Sequence, residues 1–166
     1  MLYSVSYASP LGKLTLASDE KVLVGLWMEG QRYFGASLPD EFLIQENIPV
    51  LGNAIAWLDA YFAGGKPSLE NIPLSPQGTD FQLSVWKALC TIPYGTTVTY
   101  GTLAQQLSAE FGRNVSPRAV GNAVGHNPIA LIVPCHRVVG ADGSLTGYAG
   151  GLERKEWLLK FEGAIL

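Results

Sequence analysis

The sequence predicts an α+β fold: a small antiparallel-sheet domain over residues 1–75, then a mostly helical domain over residues 76–166. Three observations carry that prediction. Short runs of alternating apolar and polar residues open the chain, a stretch with three prolines and a glycine (Pro67–Gly78) divides it, and capped helical segments fill most of the remainder. At 48% hydrophobic and 15% charged, the 166 residues hold enough apolar surface for a core, which excludes disordered and low-complexity classes. No run approaches the roughly 18–20 consecutive apolar residues of a membrane span. The opening MLYSVSYASPLGKL alternates instead of placing a basic region before an apolar block, so no signal peptide is expected. Cys90 and Cys135 are too few for a disulfide framework or a Cys-based zinc site, and the expected setting is a reducing cytoplasm.

The first elements are β-like runs at Leu2–Tyr7, Lys13–Ala17 and Val22–Met28. The turns Ser9-Pro10-Leu11-Gly12 and Ser18–Lys21 separate them, which describes an antiparallel meander. Gln31–Ile48 shows no period and reads as loop. In Pro49–Phe62, the residues Leu51, Ile55, Leu58 and Phe62 recur at helical spacing, and Gly64-Gly65 ends the helix. Past the linker, Thr79 or Asp80 caps a helix through Phe81, Val85, Trp86 and Leu89, stopped by Pro93-Tyr94-Gly95. The Thr/Val-rich segment Thr96–Thr99 leads into a helix carrying Leu103, Ala104 and Leu107. Ser116-Pro117 then starts Arg118–Gly125, a helix of small residues, because proline suits the first helical position after a serine cap. Two short helices joined by a turn suggest a helix-turn-helix, though the pattern alone does not establish one. Ala130–Val133 is an apolar run suited to a buried strand or strand-like segment ended by Pro134. Glu153–Glu162 reads as an amphipathic helix that turns Trp157, Leu158 and Phe161 inward.

The net charge of −3 is unevenly spread. Residues 1–75 hold eight Asp/Glu against four Lys/Arg, whereas residues 76–166 hold six against seven. Between residues 99 and 137, Arg113, Arg118 and Arg137 meet a single acid, Glu110. Such a patch on an acidic protein permits a nucleic-acid partner, held through few phosphates.

Chemistry concentrates in Asn127–Gly151, NPIALIVPCHRVVGADGSLTGYAGG. Cys135 stands directly after the apolar run, where a rigid wall suits preorganised catalysis, and His136 and Arg137 follow it. Adjacent basic groups lower a thiol's pKa and raise its nucleophilic fraction. On the bare Cys-His pair, Cys135 as one more buried small apolar residue is the stronger reading. The glycine- and tyrosine-rich Gly147–Gly151 shifts the balance, because such a loop beside a thiol makes a pocket wall.

Pro134-Cys135-His136-Arg137-Val138-Val139 resembles the active-site signature of the O6-alkylguanine-DNA alkyltransferases. Gly78-Thr79-Asp80-Phe81-Gln82, Val85-Trp86 and Ile92-Pro93-Tyr94-Gly95 resemble the helix and turn that open that family's C-terminal domain. Tyr100-Gly101 with Leu103-Ala104 is similar to its first helix-turn-helix element, and Arg118-Ala119-Val120-Gly121 to its recognition helix. Asn127-Pro128 matches its bend before the cysteine, and Gly147–Gly151 with Lys155-Glu156-Trp157-Leu158-Leu159 matches its tail. The likeness covers residues 76–166 and is weaker over 1–75.

This resemblance implies repair of O6-alkylguanine, and of O4-alkylthymine, by one irreversible transfer of the alkyl group to Cys135, with no cofactor and no metal. It implies that His136 acts as base through a water, that Glu162 orients and charge-balances His136, and that Tyr100 donates to the leaving guanine. Val138, Tyr148 and the amide of Ala149 would line the base pocket; many relatives carry serine in place of Ala149. Arg118 would fill the gap left by the extruded nucleotide, with small Ala119 and Gly121 letting the helix lie close to the DNA, and Asn127 joining that DNA-facing set. The implied partner is double-stranded DNA containing O6-alkylguanine, bound in the minor groove without sequence preference by a monomer, its cooperativity along DNA left open. No membrane partner is implied. Two departures stand out. The 17 residues Gly101–Pro117 make the helix-turn-helix turn long around Glu110–Val115, where Arg113 offers a phosphate contact or only a solvated loop. Residues 1–75 hold neither Cys nor His, so the zinc site of some relatives is absent.

Two other classes compete. A Cys-His hydrolase needs both side chains to meet across the fold, whereas neighbours 135 and 136 do not face one another directly. A helix-turn-helix regulator would not require Cys135, Tyr100 and Glu162 together.

Overall fold

The computed structural model describes residues 2–35, 43–44 and 47–166, which divide into two compact units. The first comprises Met1–Gln77 with Pro128–Ala130, and the second Gly78–Asn127 with Leu131–Leu166.

In the first unit, β1 (Tyr3–Ser9), β2 (Gly12–Ser18) and β3 (Leu23–Met28) form the expected antiparallel meander, with Tyr3 opposite Ser18 and Leu14 opposite Met28. Gly12 closes the first hairpin at φ 100°, a conformation that disfavours any side chain. One strand was not expected. Leu43–Ile44 (β4) pairs parallel with Tyr3–Ser4, giving the order β3-β2-β1-β4; the other residues of 36–46 lie outside the described residues. Helix α1 (Pro49–Phe62) packs on this sheet, burying Leu51, Ala54, Leu58 and Tyr61, while Ile55 and Phe62 are only half-buried. Every residue of β3 is buried, as befits a strand covered on both faces. Its outer edge is also occupied. Leu23 exchanges backbone bonds with Pro73 and Ser75 (2.8 and 2.9 Å), and Leu26 with Pro128 and Ala130 (2.9 and 3.0 Å).

The second unit holds α2 (Asp80–Leu89), α3 (Tyr100–Phe111), α4 (Pro117–Gly125) and α5 (Leu152–Phe161), with a short parallel pair, β5 (Val98–Thr99) and β6 (Val138–Val139). Thr79, not Asp80, caps α2. Its hydroxyl accepts from the Gln82 amide at 3.1 Å while the Gln82 side chain accepts from the Thr79 amide at 3.0 Å, a reciprocal box. Ser116 caps α4 at 3.1 Å with Pro117 in its first turn, and Trp86 Nε1 donates to the Ala123 carbonyl at 2.8 Å, tying α2 to α4. Helices α3 and α4 make the helix-turn-helix. Its long turn is fastened, since the Val115 amide donates to the Ser108 hydroxyl at 2.8 Å and Val115 is buried.

Two local expectations fail. Ala130–Val133 is buried but folds as a turn, because Leu131 takes φ 68° and breaks any extended run. In α5 the inward face is Lys155, Leu158 and Leu159; Trp157 and Phe161 are half-buried and stack on each other at 4.9 Å. No helix among the described residues is long and apolar enough to cross a membrane.

Candidate active site

The wall that carries the thiol is built by backbone bonding. The Asn127 side-chain amide donates to the Val133 carbonyl at 2.9 Å, and the Cys135 amide donates to the same carbonyl at 2.8 Å. Pro134 then admits a single 3-10 turn, Cys135–Arg137, which leads into β6. Cys135 is buried, and burial pushes its thiol pKa up; Asn127, the charge of Lys155 and Tyr148 pull it back down. The thiol is thus masked until an ionising influence acts on it.

Next in the turn, His136 is fully buried, and its Nε2 lies 2.7 Å from Glu162 Oε2. A carboxylate only accepts, so Nε2 carries the hydrogen and the Nδ1 lone pair is the basic site. Nδ1 is buried with no hydrogen-bond partner among the described residues. Burial lowers the His136 pKa, opposed by its bond to Glu162, so the imidazole is held neutral and able to take a proton. Glu162 is itself clamped. Arg137 Nε donates to Oε1 at 2.8 Å and a second guanidinium nitrogen to Oε2 at 3.1 Å, while the Gly95 amide reaches Oε1 at 3.3 Å. Gly95 sits at φ 76°, with the Glu162 carbonyl 3.1 Å from where a Cβ would stand. The glycine of the Pro93-Tyr94-Gly95 stop therefore serves the site as well as the turn.

Tyr100 begins α3 directly after β5, and Val98 of β5 pairs with Val138 of β6. This places the phenol beside the loop after β6, where its hydroxyl donates to the carbonyls of Thr146 (3.1 Å) and Gly147 (3.4 Å). Burial raises its pKa, so it stays a protonated donor. Cys135, His136, Glu162, Tyr100, Asn127, Tyr148 and buried Val138 thus belong to one cluster, with half-buried Ala149 next to Tyr148 in the chain. Gly121 adjoins it from α4: a Cβ there would touch the Tyr100 ring at 3.7 Å. Arg118 and Ala119 stand apart, exposed in the first turn of α4, and Arg118 makes no hydrogen bond or ion pair with described residues.

Two residues quoted from the motifs have roles in the site that the sequence reading did not assign. Arg137, counted there toward a positive patch, is 8% exposed and committed to Glu162 and the Ile92 carbonyl (2.8 Å). The exposed patch shrinks to Arg113 and Arg118. Nothing in the spacing from 137 to 162 announces that pair. Lys155 was legible, since Lys155, Leu158, Leu159 and Glu162 fall at i, i+3, i+4 and i+7 on one helical face.

Comparison with known proteins agrees with this geometry. Residues 80–164 match the family described as 6-O-methylguanine DNA methyltransferase, DNA binding domain, and residues 1–76 match its ribonuclease-like domain. The chain is 47% identical over 164 residues to the methylated-DNA–protein-cysteine methyltransferase of Methanosarcina acetivorans, covering 98% of this chain and 99% of that one. It is 47% identical over 162 residues to the Mycobacterium tuberculosis protein of the same name, covering 98% and 93%. The crystal structure of Mycobacterium tuberculosis O6-methylguanine methyltransferase superposes with a TM-score of 0.84 at 46% identity, covering 99% and 94%. A DNA complex of the Mycobacterium tuberculosis protein superposes at 0.83 and 45%, covering 98% and 92%.

Proposed function

Since the chain belongs to the 6-O-methylguanine DNA methyltransferase family, we propose that Cys135 is the residue on which its repair reaction ends. The protein is a methylated-DNA–protein-cysteine methyltransferase that reverses DNA damage directly, taking the alkyl group onto its own cysteine. The observation that carries the assignment is the buried Cys135 beside a buried imidazole whose Nε2 is fixed at 2.7 Å by Glu162. His136 Nδ1 takes the thiol proton through a water. The thiolate attacks the alkyl carbon, the S–C bond forms as the C–O6 bond breaks, and the electron pair leaves with guanine. Tyr100 turns from the Thr146 carbonyl to donate to the departing base, and the proton that Cys135 gave up is passed on to replace the phenol's, so that guanine ends protonated and both Tyr100 and His136 end neutral. A thioether offers water no route back to the thiol, so each molecule reacts once.

The duplex hides O6 within the stack, and extrusion of the nucleotide costs a few kcal/mol. Arg118, exposed in the first turn of α4 and without an ion pair among the described residues, fills the vacated position, and the small side chain of Ala119 permits close approach to the minor groove. Val138, Tyr148 and the Ala149 amide receive the base, and O4-alkylthymine fits the same chemistry. The acting species is a cytoplasmic monomer, and two exposed arginines near the helix-turn-helix support weak, salt-sensitive binding to undamaged duplex. The test is mass spectrometry after incubation with an O6-methylguanine oligonucleotide. One methyl is expected, on the peptide containing Pro134-Cys135-His136. A mark on Cys90, or transfer surviving in Cys135→Ala, overturns the assignment.

A further inference from the structure

Helix α4 sorts its residues by side. Val120, Ala123 and Val124 are buried, and Gly121 is turned to the Tyr100 ring. Arg118, Ala119 and Asn122 are exposed. At about 100° per residue, Asn122 falls roughly 40° round the helix from Arg118 and 60° from Ala119, so it stands between them on the outer arc. Of these three side chains, only that of Asn122 offers both a hydrogen-bond donor and an acceptor. Its backbone carbonyl accepts from His126 Nδ1 at 2.8 Å, whereas its side-chain amide makes no hydrogen bond among the described residues. An exposed asparagine asks for nothing on a face that meets only water. On a face that meets the minor groove, it stands opposite base edges. It lies one turn beyond Arg118, about 6 Å along the axis, which spans roughly two base steps of about 3.4 Å.

We propose that Asn122 is a specificity-determining residue: it reads the minor-groove edge of a base pair beside the lesion and favours guanine there. This rests on α4 docking in the minor groove with Arg118 at the vacated position. Every base pair offers that groove acceptors, purine N3 and pyrimidine O2, but only guanine adds a donor, its 2-amino group. An asparagine amide answers both atoms of guanine at once: Nδ2 donates to N3 while Oδ1 accepts from the amino group. Opposite adenine, Nδ2 still donates to N3, but Oδ1 faces a C–H bond and loses the water it had accepted from. Repair beside a G·C pair is therefore faster than repair beside an A·T pair. Arg118 carries donors alone and Ala119 neither kind of group, so on this face the preference has one source. Asn122 is uncharged, and its contact leaves the salt dependence of binding as it is.

Wild type and Arg118→Ala are first compared on methylated duplex and on free O6-benzylguanine. Equal losses on the two substrates overturn the docking of α4, and the proposal falls with it; a loss confined to the duplex upholds the docking, and the remaining measurements then test Asn122 alone. Methyl transfer at limiting protein is timed by mass spectrometry for wild type and Asn122→Ala. The duplexes carry G·C or A·T at the first and second pairs on either side of O6-methylguanine. Alanine suits an exposed helical position, so the variant keeps its fold. Wild type should react roughly fivefold faster with G·C at one of these positions, and Asn122→Ala equally with both pairs. Hypoxanthine, which lacks the 2-amino group, should abolish the advantage when it replaces that guanine. 2,6-Diaminopurine, which has the group, should confer it when it replaces adenine. Pair stability acts in the opposite sense, because a weaker neighbouring pair eases extrusion and a stronger one resists it. Equal wild-type rates, a preference that survives in Asn122→Ala, or rates that follow pair stability instead of the amino group overturn the proposal.

Discussion

Replacing Arg137 by methionine keeps a long side chain while removing the clamp on Glu162. Three buried bonds disappear, to Glu162 Oε1 (2.8 Å), Glu162 Oε2 (3.1 Å) and the Ile92 carbonyl (2.8 Å). Of the contacts described above, the carboxylate retains those to His136 and, at the longer distance of 3.3 Å, to Gly95. Removing one member of a buried ion pair leaves an uncompensated charge and costs about 3–5 kcal/mol. Against a total stability of about 5–15 kcal/mol, that is a large share, and it corresponds to a fall in Tm of roughly 10 °C for a chain of this size. Urea unfolding at neutral pH, followed by circular dichroism and tryptophan fluorescence, measures it. The informative control is Arg137→Met with Glu162→Gln, which removes the orphaned charge and should recover part of the loss. A single-variant cost under about 1 kcal/mol, or a double variant worse than the sum of the singles, would show that this network is solvated and contributes little.

Arg118→Ala should slow repair of duplex DNA far more than reaction with free O6-benzylguanine, which needs no extrusion, whereas Tyr100→Phe should slow both; equal losses in Arg118→Ala would assign it to the pocket or the fold. Lys155→Met should raise stability at neutral pH, by about 3 kcal/mol at most, because a folded pKa near 8 against 10.5 unfolded is a penalty present in full below 8. Wild-type stability should correspondingly rise between pH 8 and 10.5, where the unfolded chain holds the extra proton, and a flat profile in that window would contradict the buried ammonium. Gly25→Ala places a Cβ 2.1 Å from the Trp27 ring, which is 1% exposed, so thermal unfolding should show a loss of about 1–3 kcal/mol; a neutral result would mean the ring moves freely.

Local signals in the sequence were reliable where a short-range rule decides the outcome. Thr79 with Gln82, and Ser116 with Pro117, announce helix starts through bonds confined to one turn. The cluster around Cys135 was legible through its motif and through the resemblance it carries. What stayed hidden depends on partners far along the chain. Arg137 looks like a surface cation until Glu162 is brought against it, and β4 is a two-residue strand whose pairing with β1 no period could announce. Ala130–Val133 misled because a buried apolar run fixes burial, not conformation, and the left-handed φ of Leu131 is set by what surrounds it. Trp157 and Phe161 misled for the opposite reason: large aromatics satisfied by stacking on each other leave the inward face to a lysine.

The return of Pro128–Ala130 to the edge of β3 has a consequence for synthesis on the ribosome. A nascent chain that has emerged as far as Gln77 contains all four strands of the sheet and α1, but not the segment that bonds Leu26. Until Ala130 follows, the amide and carbonyl of Leu26 face outward on an apolar strand, the kind of edge on which neighbouring chains pair and aggregate. Premature termination between these points would release such an edge permanently. The bond from the Ala130 amide to Leu26 that ends this exposure closes just ahead of Cys135 in the chain, so the sheet cannot be finished before the segment carrying the acceptor is being made.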